Sequence, residues 1–146
     1  MSNHDRTRAQ VGAALLESTS DAIILTDVEG IIRLWNPGAE RIFGHSREAA
    51  LGCSLDLIIP QRLRARHWSG YHEVMRTQRS RYGAGDTLAV PALRSDGVEI
   101  SVEFSLTFCH DAEQTLDGMV AVIRDVTERF QEIRALRKAL AARDET

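Results

Sequence analysis

An α+β fold with five strands, several short helices and one longer helix is what this 146-residue chain predicts. Three observations predict it. The first is a pair of short β-branched runs joined through a turn that ends in Gly30. The second is a strict alternation in which Val98, Ile100, Val102, Phe104, Leu106 and Phe108 are interleaved with Glu99, Ser101, Glu103, Ser105 and Thr107. Such a period of two belongs to a strand with one buried and one outward face. The third is the sequence of helix starts between these regions, at Asn36-Pro37, Ser46 and Pro60.

Taken in chain order, residues 7–17 place Ala9, Val11, Ala14 and Leu15 on one stripe, which predicts a short amphipathic helix. Residues 22–26 (AIILT) and 31–35 (IIRLW) flank Asp27-Val28-Glu29-Gly30 and read as a β-hairpin. Asn36 can accept hydrogen bonds from the free N–H groups of a helix start. Pro37 costs nothing at the first helical position, where its missing N–H has no partner to lose. Ala39, Ile42 and Phe43 then face inward, and Gly44 ends the segment. A second short helix runs from Ser46, with Glu48 near its positive end, and Gly52 closes it. The longer helix opens at Pro60 and reaches about Gln78. Residues 87–94, 98–109 and 115–124 read as strands, with Ser95-Asp96-Gly97 as a hairpin turn. Pro91 lacks the N–H a sheet ladder needs, so its strand belongs at an edge or at a bulge. Residues 126–143 are helical again, with Val126, Phe130, Ile133, Leu136 and Leu140 as an apolar stripe of irregular spacing that suits a partner helix. The division expected is a flanking helix over 1–19, a core over 20–125 and a C-terminal helix over 126–146.

Composition narrows the function classes. Apolar residues make up 43% of the chain and charged residues 27%, values at which a core can be buried, and one domain accounts for the length. A formal net charge of −3 gives no general attraction for nucleic acid, and the arginines at 62–66 and 76–81 read as a solvated helix face. Cys53 and Cys109 stand 56 positions apart with no CxxC, which argues against a disulfide framework or a zinc site. Neither a signal-peptide pattern nor an apolar run of the roughly 18 residues needed to span a bilayer is present. The expectation is a cytoplasmic setting with no membrane and no nucleic acid. Nor is there a GxSxG, Walker loop or HExxH motif, so no enzymatic role is expected.

The element order, with the runs AIILTDVEGIIRLWNPGAERIFGHSREAALG, LIIP, RSDGVEISVEF and GMVAVIRDVTER, resembles the PAS family of sensory and interaction domains. Asn36, Pro37, Glu40, Phe43 and Gly44, with the closing Asp125-Val126-Thr127, carry most of the likeness, which covers about residues 12–130. The resemblance implies that residues 125–127 relay a change in the sheet to the last helix; Asp125 or Thr127 can equally serve as a plain helix cap. It further implies a five-stranded antiparallel sheet with the short helices and the longer helix on one face, a sensory core over 20–125, a signalling or dimerisation helix over 126–146, a homodimer and an associated kinase or other effector domain.

A narrower likeness lies in Ile59-Pro60-x-x-Leu63-Arg64-x-x-His67, which is similar to heme-binding PAS oxygen sensors of the FixL and Dos type. Carried over, His67 would coordinate the iron of a b-type heme, with Trp68 and Tyr71 able to pack on the porphyrin. The position where those sensors carry an arginine for bound oxygen is Leu88 here, which offers no hydrogen bond. His72 lies about 140° round the helix from His67 and is a poor second ligand. His45 and His110 fall in expected loops. Cys53 lacks the Asn-Cys-Arg setting of flavin photosensors and reads as a small packed filler. Two readings stand: a sensor holding a ligand, heme b first, between the long helix and the sheet, and a ligand-free dimerisation module.

Overall fold

The computed structural model describes residues 1–79 and 89–144. Its helices are α1 (Asn3–Leu16), α2 (Pro37–Phe43), α3 (Arg47–Ala50), α4 (Arg64–Thr77) and α5 (Thr127–Asp144). The strands are β1 (Ala22–Asp27), β2 (Ile32–Trp35), β3 (Ala89–Leu93), β4 (Glu99–His110) and β5 (Leu116–Asp125). They form one antiparallel sheet in the order β2-β1-β5-β4-β3. This is the expected α+β architecture, and Pro91 does sit on an edge strand.

Register defines the two faces of the sheet. Ala22, Ile123 and Phe104 lie side by side across β1, β5 and β4; so do Ile24, Ala121 and Leu106, and then Thr26, Met119 and Phe108. Because side chains alternate along each strand, all nine share one face. The same face carries Ile100, Val102 and Ala92, and α2, α3 and the 3₁₀ turn Leu55–Ile58 close over it with Ala39, Ile42, Phe43, Ala50 and Ile58. The opposite face presents Ile23, Leu25, Val120 and Val122, which are only half-buried.

Local chemistry explains the joints. Asn36 caps α2 by accepting from the Ala39 N–H, while Pro37 takes the first helical position as expected. Gly44 ends α2 at φ +80°, and a Cβ there would strike the Ser95 hydroxyl at 2.4 Å. That contact and the Ser95 N–H to Phe43 O hydrogen bond dock the β3–β4 turn on α2.

Several boundaries differ from the sequence expectation. Helix α1 begins four residues early, because Ser2 and Asp5 cap each other's backbone N–H groups in a capping box. The long helix is split: Gln61–Leu63 form a 3₁₀ turn and α4 proper starts at Arg64. The alternating segment begins at Glu99, leaving Val98 exposed in the turn. Helices α1 and α5 bury none of their side chains fully, and Val11, Leu15, Ile133, Leu136 and Leu140 stay exposed.

Candidate functional site

The candidate site lies where α4 packs against β1 and the turn that follows it. Its N-terminal half is anchored by polar side chains. Arg64 donates to the carbonyls of Ile59 and Asp56, and Trp68 Nε1 donates to the Asp56 carboxylate at 2.6 Å. The Trp68 ring lies so close over Gly30 that a Cβ there would sit 2.2 Å from it, and Gly30 also has φ +84°. Glycine is therefore demanded twice at this turn.

One turn further along, Tyr71 is 5% exposed and reaches β1. Its hydroxyl donates to the Asp27 carbonyl and lies 2.9 Å from Thr26 Oγ1. Thr26 is one of two buried polar side chains among the described residues. Burial pushes the Tyr71 pKa up, opposed by the Thr26 hydrogen bond, so the hydroxyl stays protonated.

His67 shares this face of α4. Its ring is half-buried, edge-on to Trp68 at 4.7 Å and tilted against Tyr71 at 5.9 Å. Its Nδ1 is buried and has no hydrogen-bond partner among the described residues. Burial lowers its pKa; the Asp56 carboxylate pulls it back up and His72 pushes it further down. The result is a neutral imidazole at pH 7, the state in which a ring nitrogen can donate to a metal. On the sheet face that Tyr71 reaches at Thr26, Phe104, Leu106 and Phe108 stay half-buried, an apolar floor.

Of the sequence-derived site residues, the structure brings His67, Trp68 and Tyr71 together. It engages the last two with Asp56, Gly30 and β1. Leu88 lies outside the described residues. His72 is exposed on the far side of α4, His45 is half-buried with its carbonyl taken by Trp35 Nε1, and His110 ends strand β4. Cys53 is half-buried. Among the described residues no cluster of three or more His, Cys, Asp or Glu side chains could hold a metal ion. Among the described residues no helix is long and apolar enough to cross a membrane.

One feature of the site suits a porphyrin, an unclaimed neutral imidazole, and the sheet face that Tyr71 reaches is apolar. An iron porphyrin held there would supply a redox-active, gas-binding metal; His67 would be its protein ligand.

The second region is the junction at 125–127. Asp125 Oδ1 accepts from both the backbone N–H and the hydroxyl of Thr127. Thr127 Oγ1 accepts from the Ser101 N–H at 2.9 Å, and the Val126 N–H donates to Ser101 O at 2.8 Å. Ser101 was missed by the sequence reading; only its polar place in an apolar alternation hinted at it. Also missed was the two-pronged Arg62–Glu99 pair, at 2.8 and 2.7 Å, tying the start of the long helix to β4. A surface cleft of about 470 Å³ opens beside this junction between Arg41, Arg124 and Glu128.

The chain is similar to known proteins over most of its length. The sequence model of the family described as PAS fold matches residues 16–131. The sensor protein FixL of Bradyrhizobium diazoefficiens is 31% identical over 126 residues, 86% of this chain and 24% of that protein. The oxygen sensor protein DosP of Escherichia coli is 26% identical over 137 residues, 90% of this chain and 16% of that protein. The chain thus spans about a quarter or less of the length of these curated relatives. Among solved structures, the PAS domain of a Colwellia psychrerythraea protein superposes with a TM-score of 0.70 at 23% identity, covering 83% of this chain and 98% of that one.

Proposed function

The chain belongs to the PAS-fold family of sensory domains, and on that premise we propose that it binds a planar apolar cofactor, b-type heme, through His67 between α4 and the inner face of the sheet. The observation that carries this reading is the buried, unpartnered Nδ1 of a neutral His67 beside Tyr71, which reaches the sheet face that carries the half-buried Phe104, Leu106 and Phe108. The resemblance of the 59–67 segment to heme-binding oxygen sensors supports it, as does the match to FixL and DosP. The change on binding passes to α5 through Asp125, Val126 and Thr127, which Ser101 ties to the sheet. The domain catalyses no reaction itself. It works in the cytoplasm as a homodimer, joined through the exposed apolar residues of α1 and α5, and governs an associated kinase or other effector domain.

A second reading has its own observation. Trp68 and Tyr71, which could have faced a porphyrin, are instead tied to Asp56 and β1. An α4 held down in this way suits a ligand-free dimerisation module. Reconstitution with hemin separates the two. Heme binding gives an intense Soret band that His67→Ala abolishes; a wild-type protein that stays colourless with hemin overturns the heme reading and leaves the dimerisation module.

A further inference from the structure

We infer that the Tyr71 hydroxyl is a latch that sets how often the C-terminal half of α4 lifts from the sheet, and so how readily a planar apolar ligand enters. The inference rests on the reading above in one respect, that the ligand lies between α4 and the sheet.

Four observations carry it. Tyr71 has a single hydroxyl proton, and the Asp27 carbonyl takes it, so in the 2.9 Å contact the Thr26 hydroxyl must be the donor. Both hydroxyls are therefore satisfied only while α4 is down. Thr26 occupies an inward position of β1 where the others are Ala22 and Ile24. A valine would fill the same space with no buried hydroxyl to satisfy, so the threonine has no packing reason to be there. Third, Tyr71 is the last tether along the helix. Arg64 and Trp68 hold the first half, and among the described residues every side-chain hydrogen bond of α4 beyond Tyr71 stays within the helix or its C-cap. Fourth, Thr26 lies in the same cross-strand row as Met119 and Phe108, so the latch closes directly beside the apolar floor.

Opening α4 thus breaks one linked pair of hydrogen bonds and exposes Tyr71 with the half-buried Val74 and Met75, while the anchored half stays in place as the hinge. A ligand that binds only the open state has an apparent affinity reduced by the open fraction, so weakening the latch must tighten binding. If Tyr71 instead packed on the ligand, its alteration would weaken binding. The two roles predict opposite signs.

The test uses Tyr71→Phe and Thr26→Val, both close in shape to the original residues, with hemin as the probe and amide hydrogen exchange as a ligand-free readout. A net contribution of a hydrogen bond corresponds to a two- to tenfold change in equilibrium. Tyr71→Phe is expected to bind hemin about two- to tenfold more tightly, with residues 72–77 exchanging faster by a similar factor and the β4–β5 amides unchanged. Thr26→Val should move both readouts in the same direction. Exchange over 72–77 that matches wild type overturns the latch, as does hemin binding weakened by Tyr71→Phe. Selectively faster exchange over 72–77 in a protein that never binds hemin supports the latch and removes the heme reading alone.

Discussion

Replacing Asn36 by alanine would test how the α1–β1 segment, β1 and α2 are held together. The side chain is 4% exposed and makes four hydrogen bonds. Its Oδ1 accepts from the Ile23 N–H at 2.8 Å and the Ala39 N–H at 2.9 Å; its Nδ2 donates to Ser18 O at 3.1 Å and Asp21 O at 3.0 Å. Losing the cap at Ala39 costs about 1 kcal/mol. Leaving the Ile23 N–H unsatisfied adds about 1–3 kcal/mol. The Ser18 carbonyl keeps the Gly38 N–H as a donor, and an under-satisfied carbonyl is better tolerated than an orphaned N–H, so these two add little. The expected loss is therefore about 2–4 kcal/mol, a large part of the stability of an ordinary domain. Urea unfolding followed by the fluorescence of the neighbouring, buried Trp35 reads it out. Asn36→Ser keeps a capping oxygen and loses the longer reach, so it should recover about 1 kcal/mol. An Asn36→Ala protein within about 1 kcal/mol of wild type would refute the reasoning, because the orphaned groups would then have found partners elsewhere. Equal losses in the serine and alanine variants would refute the assignment of the cap.

Two further outcomes follow from the geometry. Gly118→Ala should lower stability by about 2–3 kcal/mol, since its Cβ would lie 2.0 Å from the Thr26 carbonyl of the paired strand; a thermal midpoint equal to wild type refutes this. His67 makes stability depend on pH. Burial lowers its folded pKa below the unfolded value of about 6.5, so the unfolded chain binds the extra proton first. The stability is complete above the unfolded pKa and declines as pH falls below it. Urea midpoints measured at about pH 7.5 and about pH 5.5 should fall more in wild type than in His67→Gln. Equal declines would show that the imidazole is not desolvated in the folded state.

The features that could be read from sequence are those whose cause is local. Asn36-Pro37 states a helix start within two residues, and Ser95-Asp96-Gly97 states a turn, with Gly97 at φ +85° as the hairpin needs. Pro91 marks an edge strand because an absent N–H is a property of the residue itself. The long helix was placed correctly, but its first turn was not. Gln61–Leu63 wind more tightly because nothing caps the helix before Leu63, whose own side chain makes no cap hydrogen bond. The early start of α1 was lost for the opposite reason: Ser2 and Asp5 form a sound cap, but no apolar stripe reaches that far to announce a helix.

The candidate site shows where such reasoning stops. Helical spacing puts His67 and Tyr71 on one face of α4, and strand alternation puts Thr26 and Phe108 on one face of the sheet. Neither says which part of the sheet the helix face meets. Tyr71 and Thr26 are 45 residues apart, and their contact is decided by the anchoring of Trp68 and Arg64 on Asp56, a residue in a 3₁₀ turn that no periodicity marks. The same limit hid Ser101. It reads as one polar position among several on β4, yet its N–H and carbonyl both serve the 126–127 junction. Its neighbours Ile100 and Val102 point the other way, into the core, and Phe104 begins the apolar floor two residues on. A rigid strand cannot shift one face without the other. Under the proposed function, a ligand that displaces β4 from below must therefore displace Ser101, and with it the root of α5, without any chain of side-chain contacts passing through the sheet.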